Sequence, residues 1–525
     1  EQLTEDFGDG RIAAKLVRRA KRRGRPWPWH VLNFAVRVMA VVFAIYAVLL
    51  IRFCLAQPRP SVDYIAKQNV TVSGIAGADR AWPLWRRAIL ACSDSAKGGK
   101  VVFSEAVVGT KGEKPTWSKT VTWLDEHAAG MEIARAAGRK PAMGFILGPT
   151  GSAADPSLGW SFADQTTTEP LMSISLPHLN YLRKMSDFLS LDARLAAEHT
   201  EGARVEADLL AMLGLGRQLR GSDSFLVIQW LGLELSDEAL RRLQSVLFTH
   251  PGALTDDQLV RLAHALSGPR VAADLLTFRG DRDIFDDIVQ RAYTDDGHGD
   301  GHLTLAGLHF IAKLNLMNPE SDPGLLPGWA EAPTLPLFAA SRAQVLAKYD
   351  RLQDKAEANL RRPIREVDLS AVKSQITALM YSRVSRLRFA LLYKLMPAVP
   401  MSQEACEKYL GERDGVVVGI ALELYRRHDG HYPASLGQLT PELLPEIPVD
   451  RITGDPVKYK LIDGEPIVYS VGADRIDDGG TPPAKNDIKA TFFNTRPCSW
   501  GIDPKDAARG DWLLFAPQSP DANDP

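Results

Sequence analysis

Residues 31–56 set the terms for the whole chain. From Val38 to Ile51, fourteen consecutive residues carry neither a charge nor an amide, and with its flanks the apolar stretch runs to 26 residues. A helix rising about 1.5 Å per residue needs roughly 20 such residues to cross a hydrocarbon core of about 30 Å. Two rival readings are weaker. A cleaved signal peptide has an apolar region of roughly 7–15 residues followed by a small-x-small site, and neither fits here. A buried core helix has no use for a basic flank.

That flank sets the direction. Arg11, Lys15, Arg18, Arg19, Lys21, Arg22, Arg23 and Arg25 precede the stretch, whereas only Arg52, Arg59 and Lys67 follow closely. Excess Lys and Arg stay cytoplasmic. The expectation is a single-pass protein of the bacterial inner membrane, N-terminus in the cytoplasm and C-terminal bulk periplasmic. Trp27, Trp29 and His30 suit an interfacial belt on the inner side. Arg37 and Arg52 lie where long side chains snorkel to the headgroups. The lipid bilayer is therefore the first partner. The net charge of −2 argues against nucleic acid as another, and the basic run beside a span is explained by orientation and anionic lipid.

The pattern predicts a mainly α protein with a small α+β C-terminal domain. Its expected divisions are a basic cytoplasmic tail (1–30), the transmembrane helix (31–56) and a mixed membrane-proximal region (57–175). A helical region (176–318), a proline-rich linker (319–337), a second helical region (338–428) and the α+β domain (429–525) follow. Residues 62–92 and 123–137 each read as helix, and 101–103 as a strand. Over 176–266, Leu182, Met185, Leu189, Leu209, Leu213 and others recur at three- and four-residue steps. Ser236-Asp237-Glu238 and Thr255-Asp256-Asp257 read as N-caps opening new helices. Further helices are expected at 338–360, 367–396 and 403–428, then short strands at 457–461 and 467–471 between Gly, Pro and Asp clusters.

Two loops carry oxygen donors in a calcium-like pattern. In the first, Asp296, His298 and Asp300 occupy alternate positions, Gly301 sits at the sharp turn, His302 offers a carbonyl and Leu303 is apolar. This resembles an EF-hand loop between an entering helix at 284–292 and an exiting one at 305–313, and the resemblance implies calcium as cofactor. Gly307 stands where the closing carboxylate belongs, and His298 is a nitrogen donor better suited to transition metals. The alternatives are a metal-free Gly-rich turn, or zinc held by His298, His302 and His309.

The second loop lies in a longer block. Gly430, Tyr432, Pro433, Leu436, Leu439, Pro448, Asp450, Gly454, Pro456 and Tyr459, then Tyr469, Ser470, Gly472, Ala473 and Asp474, follow one another over residues 425–488. The block resembles the globular end of the major pseudopilin of type II secretion systems. That resemblance implies a calcium loop from Asp474 to Asp487 with Asp474, Asp478 and Asp487 as ligands. The residues themselves, with Tyr459 and Tyr469 on successive strands after a helix ending near His428, predict that the two rings pair across a small sheet. The alternative is an acidic loop of local turns. A pseudopilin carries its polymerising helix at a leader-peptidase site, and no such start is present, so the similarity implies a shared domain and no pilus subunit. Asp63-Tyr64-Ile65-Ala66-Lys67 and Asp79-Arg80-Ala81-Trp82-Pro83-Leu84 give the layout a resemblance to large bacterial envelope proteins, which carries no activity across.

Motifs for catalysis are absent from the sequence: there is no G-x-S-x-G, H-E-x-x-H, Walker loop or strand-linked G-x-G-x-x-G. Gly148-Pro-Thr-Gly-Ser152 lacks the phosphate-loop lysine. Asp125/Glu126 and Asp286/Asp287 read as solvated helix faces. Cys406 and Cys498 read either as a disulfide or as separate buried thiols. The expected function is a non-enzymatic structural or interaction protein of the envelope with protein partners there. An accessory of a secretion machine and an extracytoplasmic hydrolase with its site in 98–175 are the alternatives.

Overall fold

The computed structural model describes residues 27–97, 100–108, 115–149, 151–152, 154–158, 160, 169–221, 225–314, 332–367, 385, 388–389, 391–392, 399–483 and 509–517. The basic tail to residue 26, most of the linker and of the 367–396 helix, Asp487 and Cys498 lie outside them. The described chain is mostly helical, with a small three-stranded antiparallel sheet and one apolar N-terminal helix.

That helix, α1 (Trp27–Leu55), turns nearly every side chain from Val31 to Ile45 outward. Its last turns behave differently: Phe53 is buried in a cluster that also holds Leu335, Phe285 and Ile288, and Leu50 packs against that cluster. Asp63 then caps α2 (Tyr64–Ser73), its carboxylate accepting the Ala66 amide at 2.9 Å. The single helix expected over 62–92 is in fact two. The chain turns between Gly74 and Asp79 and restarts as α3 (Trp82–Ala91), whose Pro83 is tolerated in a first turn but would break a continuous helix.

A hairpin of β1 (Asp94–Lys97) and β2 (Lys100–Val102) takes up Val101 and Val102 of the expected strand. The helix expected over 123–137 also divides, into α4 (Trp117–Glu126) and α5 (Ala128–Gly138), at His127. Its backbone leaves the helical region, its ring stacks on Trp123, and its Nδ1 lies 2.8 Å from the Trp123 carbonyl.

Four helices joined by short turns follow: α6 (His178–Glu198), α7 (Gly202–Leu219), α8 (Leu226–Thr249) and α9 (Asp256–Leu266). The leucine periodicity delivers Leu182, Met185, Leu189 and Leu209 to the interior. Thr255 opens α9 as expected, in a reciprocal capping box with Gln258. Ser236 opens nothing. It lies inside α8, where its hydroxyl donates back to the Gly232 carbonyl at 2.8 Å. A buried ionic knot ties α5, α6 and α7 together: Arg135 donates to Asp208 at 2.6 Å and to Asp192, which also receives Arg204.

Next come α10 (Arg279–Ala292), α11 (Leu305–Lys313), α12 (Arg342–Leu360) and the long α13 (Val399–Asp429). The sheet orders β3 (Lys458–Ile462), β4 (Glu465–Ser470) and β5 (Trp512–Phe515) side by side. β5 lies against α13 along Gly411, Gly415 and Gly419, one residue per turn. A Cβ at Gly415 would stand 2.5 Å from the Leu514 backbone oxygen, so only glycine lets the strand approach this closely. One apolar cluster runs from α8 and α9 through α13 to Leu436, Leu439, Val468 and Phe515.

The expected pairing of Tyr459 with Tyr469 does not occur. Asp463 and Gly464 form a two-residue turn, both with positive φ, which places Tyr459 opposite Val468 and Lys458 opposite Tyr469. The two rings are one register step out and face opposite sides of the sheet. Tyr459 instead donates to the Pro433 carbonyl at 3.0 Å, and Tyr469 to Asp477 at 3.1 Å.

Candidate functional site

The EF-hand-like loop sits between α10 and α11, as its flanks imply. Tyr293 and Leu303 form an antiparallel bridge at its base, both buried. The acidic side chains turn inward to their own backbone. Asp296 Oδ1 accepts the amides of His298 at 2.8 Å and Asp300 at 3.0 Å. Asp300 Oδ1 accepts those of Gly301 at 2.8 Å and Ala343 at 3.1 Å, and these bonds hold its carboxyl below the usual range. Asp295 accepts the Gly297 amide and pairs with Arg342. His302 places Nδ1 3.0 Å from Thr294 Oγ1, and burial with the nearby Arg52 holds its pKa down. The loop is thus closed by its own hydrogen bonds. A cavity of about 510 Å³ separates it from the C-terminal end of α1, lined by Arg52, Phe53, Asp296, Asp300 and His302.

The second loop shows the same economy. Asp474 is buried and accepts the Ile476 amide at 3.1 Å and the Gly510 amide at 3.3 Å. Asp478 pairs with Arg509 at 2.9 Å. Asp511, which the sequence reading did not single out, takes the amides of Asp478 at 3.2 Å and Gly480 at 2.7 Å. Among the described residues, no group of three or more His, Cys, Asp or Glu side chains could hold a metal ion.

The chain matches no family model, and comparisons with curated proteins and with solved structures find no match.

Several residues of the 425–488 block converge on Asp450. Its buried carboxylate accepts the Ile452 amide at 2.7 Å, the Ser470 hydroxyl at 2.9 Å and the Val471 amide at 3.2 Å. It therefore ties the turn at Gly454 to the end of β4. Cys406, on the adjoining helix, is a free buried thiol.

A second, more apolar cavity lies elsewhere, under α2, and no local spacing announces it. About 310 Å³ is bounded by Val72, Ile75, Met143, Phe145, His178 and Gln218, from four separate segments. His178 is buried, its ring stacked on Phe145 and edge-on to Trp82; burial pushes its pKa down to about 3, so the imidazole is neutral at ordinary pH. Gln218 receives Trp85 Nε1 at 2.8 Å and donates to the carbonyls of Ala137 and Lys140, both at 2.8 Å. The lining can hold a small apolar group. In the 98–175 region, Ser157 donates to Asp155 at 2.5 Å and receives Arg86 at 2.6 Å, which makes it part of an ion-pair cluster.

The path from α1 to the body is held by side-chain hydrogen bonds from α10. Gln290 Oε1 accepts the amides of Ser61 at 3.0 Å and Val62 at 3.1 Å, and its amide donates to the Val62 carbonyl at 2.8 Å. Asp283 receives Lys67 at 2.6 Å and Gln68 at 2.7 Å. Asp287 corrects the solvated-face expectation: it is buried, and it accepts Gln290 and Arg291 with one oxygen and the Leu171 amide with the other. Asp125 and Glu126 are exposed, as expected.

Proposed function

We propose that the protein is a membrane-anchored structural or interaction element of the cell envelope, with its body on the extracytoplasmic side. One observation carries this reading: α1 and the body are built as a single piece. Phe53 at the end of the apolar helix belongs to the core formed by α10, α11 and Leu335. Gln290 then holds Ser61 and Val62, Asp283 holds Lys67 and Gln68, and Asp287 braces Gln290. A cleaved leader would leave the Phe53 site empty, whereas a permanent anchor explains why so many buried polar groups hold the exit. Such an arrangement suits a protein whose work is to stand at a fixed place on a membrane.

Two measurements test it. Protease added to spheroplasts should digest the body, while carbonate washing should leave α1 and its attached fragments in the membrane pellet. Mild cross-linking in intact cells, followed by purification and mass spectrometry, should give companions in stoichiometric amount. Protection of the body from protease, or a chain that runs without companions under cross-linking, would refute the reading.

The secretion-accessory reading draws on a second observation, the convergence of Asp450, Gly454, Ser470 and Val471 within the pseudopilin-like block. Its test is binding of the full chain to pseudopilin subunits, abolished by substitutions on the exposed face of β3.

A further inference from the structure

The short turn of helix Leu335–Phe338 lies beside α1 and presents two large apolar side chains outward: Leu337 is 53% exposed and Phe338 50%. We propose that this turn is a second membrane contact, seated among the acyl chains of the outer leaflet next to the span. The inference rests on the reading of α1 as a membrane anchor.

Depth is the first argument. The Tyr46 hydroxyl donates to the Pro333 carbonyl at 3.1 Å. Tyr46 stands six residues before Arg52, which is about 9 Å along a helix. Arg52 shares its cavity with Asp295, Asp296, Asp300 and His302. A ring of charges there marks the level of water and headgroups, because ionised side chains do not settle in hydrocarbon. Pro333 meets α1 on the membrane side of that level, whereas Leu335 and Pro336 line the same cavity as Arg52, so the turn straddles the boundary. An insertion of about 5–10 Å is typical of segments that lie in the boundary between headgroups and acyl chains.

Polar satisfaction is the second argument. Backbone groups in lipid must find partners within the protein. Pro333 and Pro336 have no amide hydrogen to satisfy. The Pro333 carbonyl is taken by Tyr46, and the Ala339 amide returns to the Leu335 carbonyl at 2.8 Å. The Tyr46 hydroxyl, otherwise a stranded donor on a lipid-facing helix, is satisfied by the same bond. Continuity is the third: the outward side of the turn extends the apolar surface of α1, where Val48 is 57% exposed. Lipid is the occupant that this continuity selects, since the bilayer that covers Val48 reaches the adjacent turn.

The test uses the full chain in phosphatidylcholine vesicles, with Cys54→Ser and Cys498→Ser as background. One cysteine is added at a time at Leu337, Phe338, Val48 or Val260 to carry an environment-sensitive fluorophore, Cys92 and Cys406 staying as buried thiols, and lipids spin-labelled near the top of the acyl chain act as quenchers. Val48 serves as the span control and Val260, exposed on α9, as the body control. The expected result is quenching at Leu337 and Phe338 comparable to that at Val48, with none at Val260. Quenching at Val48 alone would overturn the proposal and leave the anchor standing, as it would if a protein partner covered the turn. No quenching at Val48 would overturn the anchor reading and this inference with it.

Discussion

Asp450 offers a direct test of what joins the C-terminal turn to the sheet. In Asp450→Ala the amides of Ile452 and Val471 and the hydroxyl of Ser470 lose their acceptor within a buried site. A buried donor left unmet costs about 1–3 kcal/mol. Rotation of the Ser470 hydroxyl toward another acceptor would relieve one of the three, and the two unmet amides should cost about 2–6 kcal/mol. Asp450→Asn keeps an oxygen for Ile452 and Ser470 but turns an amide nitrogen toward the Val471 N–H, at a cost of about 1–2 kcal/mol. Hydrogen exchange of the full chain in detergent, read on the peptide covering β4, measures local opening directly. At about 1.4 kcal/mol per decade, Asp450→Ala should raise exchange there at least about 30-fold, with a mid-range value of several hundred-fold, and Asp450→Asn about 10-fold. The peptide covering α5 should not change. Equal effects of the two variants, or unchanged exchange in β4, would refute the assignment of Asp450 as the tie.

Other perturbations probe different contacts. Gly415→Val drives a side chain into the Leu514 backbone, which cannot step aside as a flexible side chain would; a loss of about 1–3 kcal/mol is expected, seen as faster exchange over 511–517. Glu407 is buried on α13, and burial, partly offset by Arg451 at 3.6 Å, raises its pKa to about 7. A raised carboxyl favours folding while protonated, so this contribution is full below the unfolded value near 4.5 and is lost as pH rises through about 7. Glu407→Gln should therefore flatten the fall in thermal midpoint between pH 5 and pH 8, and an unaltered profile would count against it. Arg135→Ala leaves Asp192 and Asp208 buried without their shared cation, and should cost about 3–5 kcal/mol by denaturant titration. Replacing all three with apolar residues should recover most of that loss.

What the sequence discloses and what it conceals follow from range. Periodic leucines in α6 and α7, the Thr255 cap and the helices on either side of residues 296–300 are local signals and appear where expected. Ser236 misleads because a serine ahead of two acids looks the same at a helix start and inside one. The choice is made by the apolar faces of α8, which need the helix to continue. Asp287 looks like a solvent acid until Gln290, Arg291 and the Leu171 amide are brought to it from two segments. The tyrosine pairing fails by one step, because register depends on the Asp463-Gly464 turn more than on spacing. The Gly411, Gly415, Gly419 stripe is visible in the sequence, yet nothing local says that a strand almost a hundred residues away lies on it. The cavity at His178 has no sequence signal at all, since its walls come from four distant segments.

The clamp that Gln290 and Asp283 place on residues 61–68 has a mechanical consequence. A body on a loose leash sweeps a hemisphere and meets neighbours at any height or angle. On the anchored reading proposed above, the swivel is locked, so the whole molecule would drift in two dimensions like a buoy with a rigid keel. Whatever it touched would then have to present a matching surface at one elevation above the lipid, and lengthening the leash with inserted glycines would blur that choice without altering a single contact on the body.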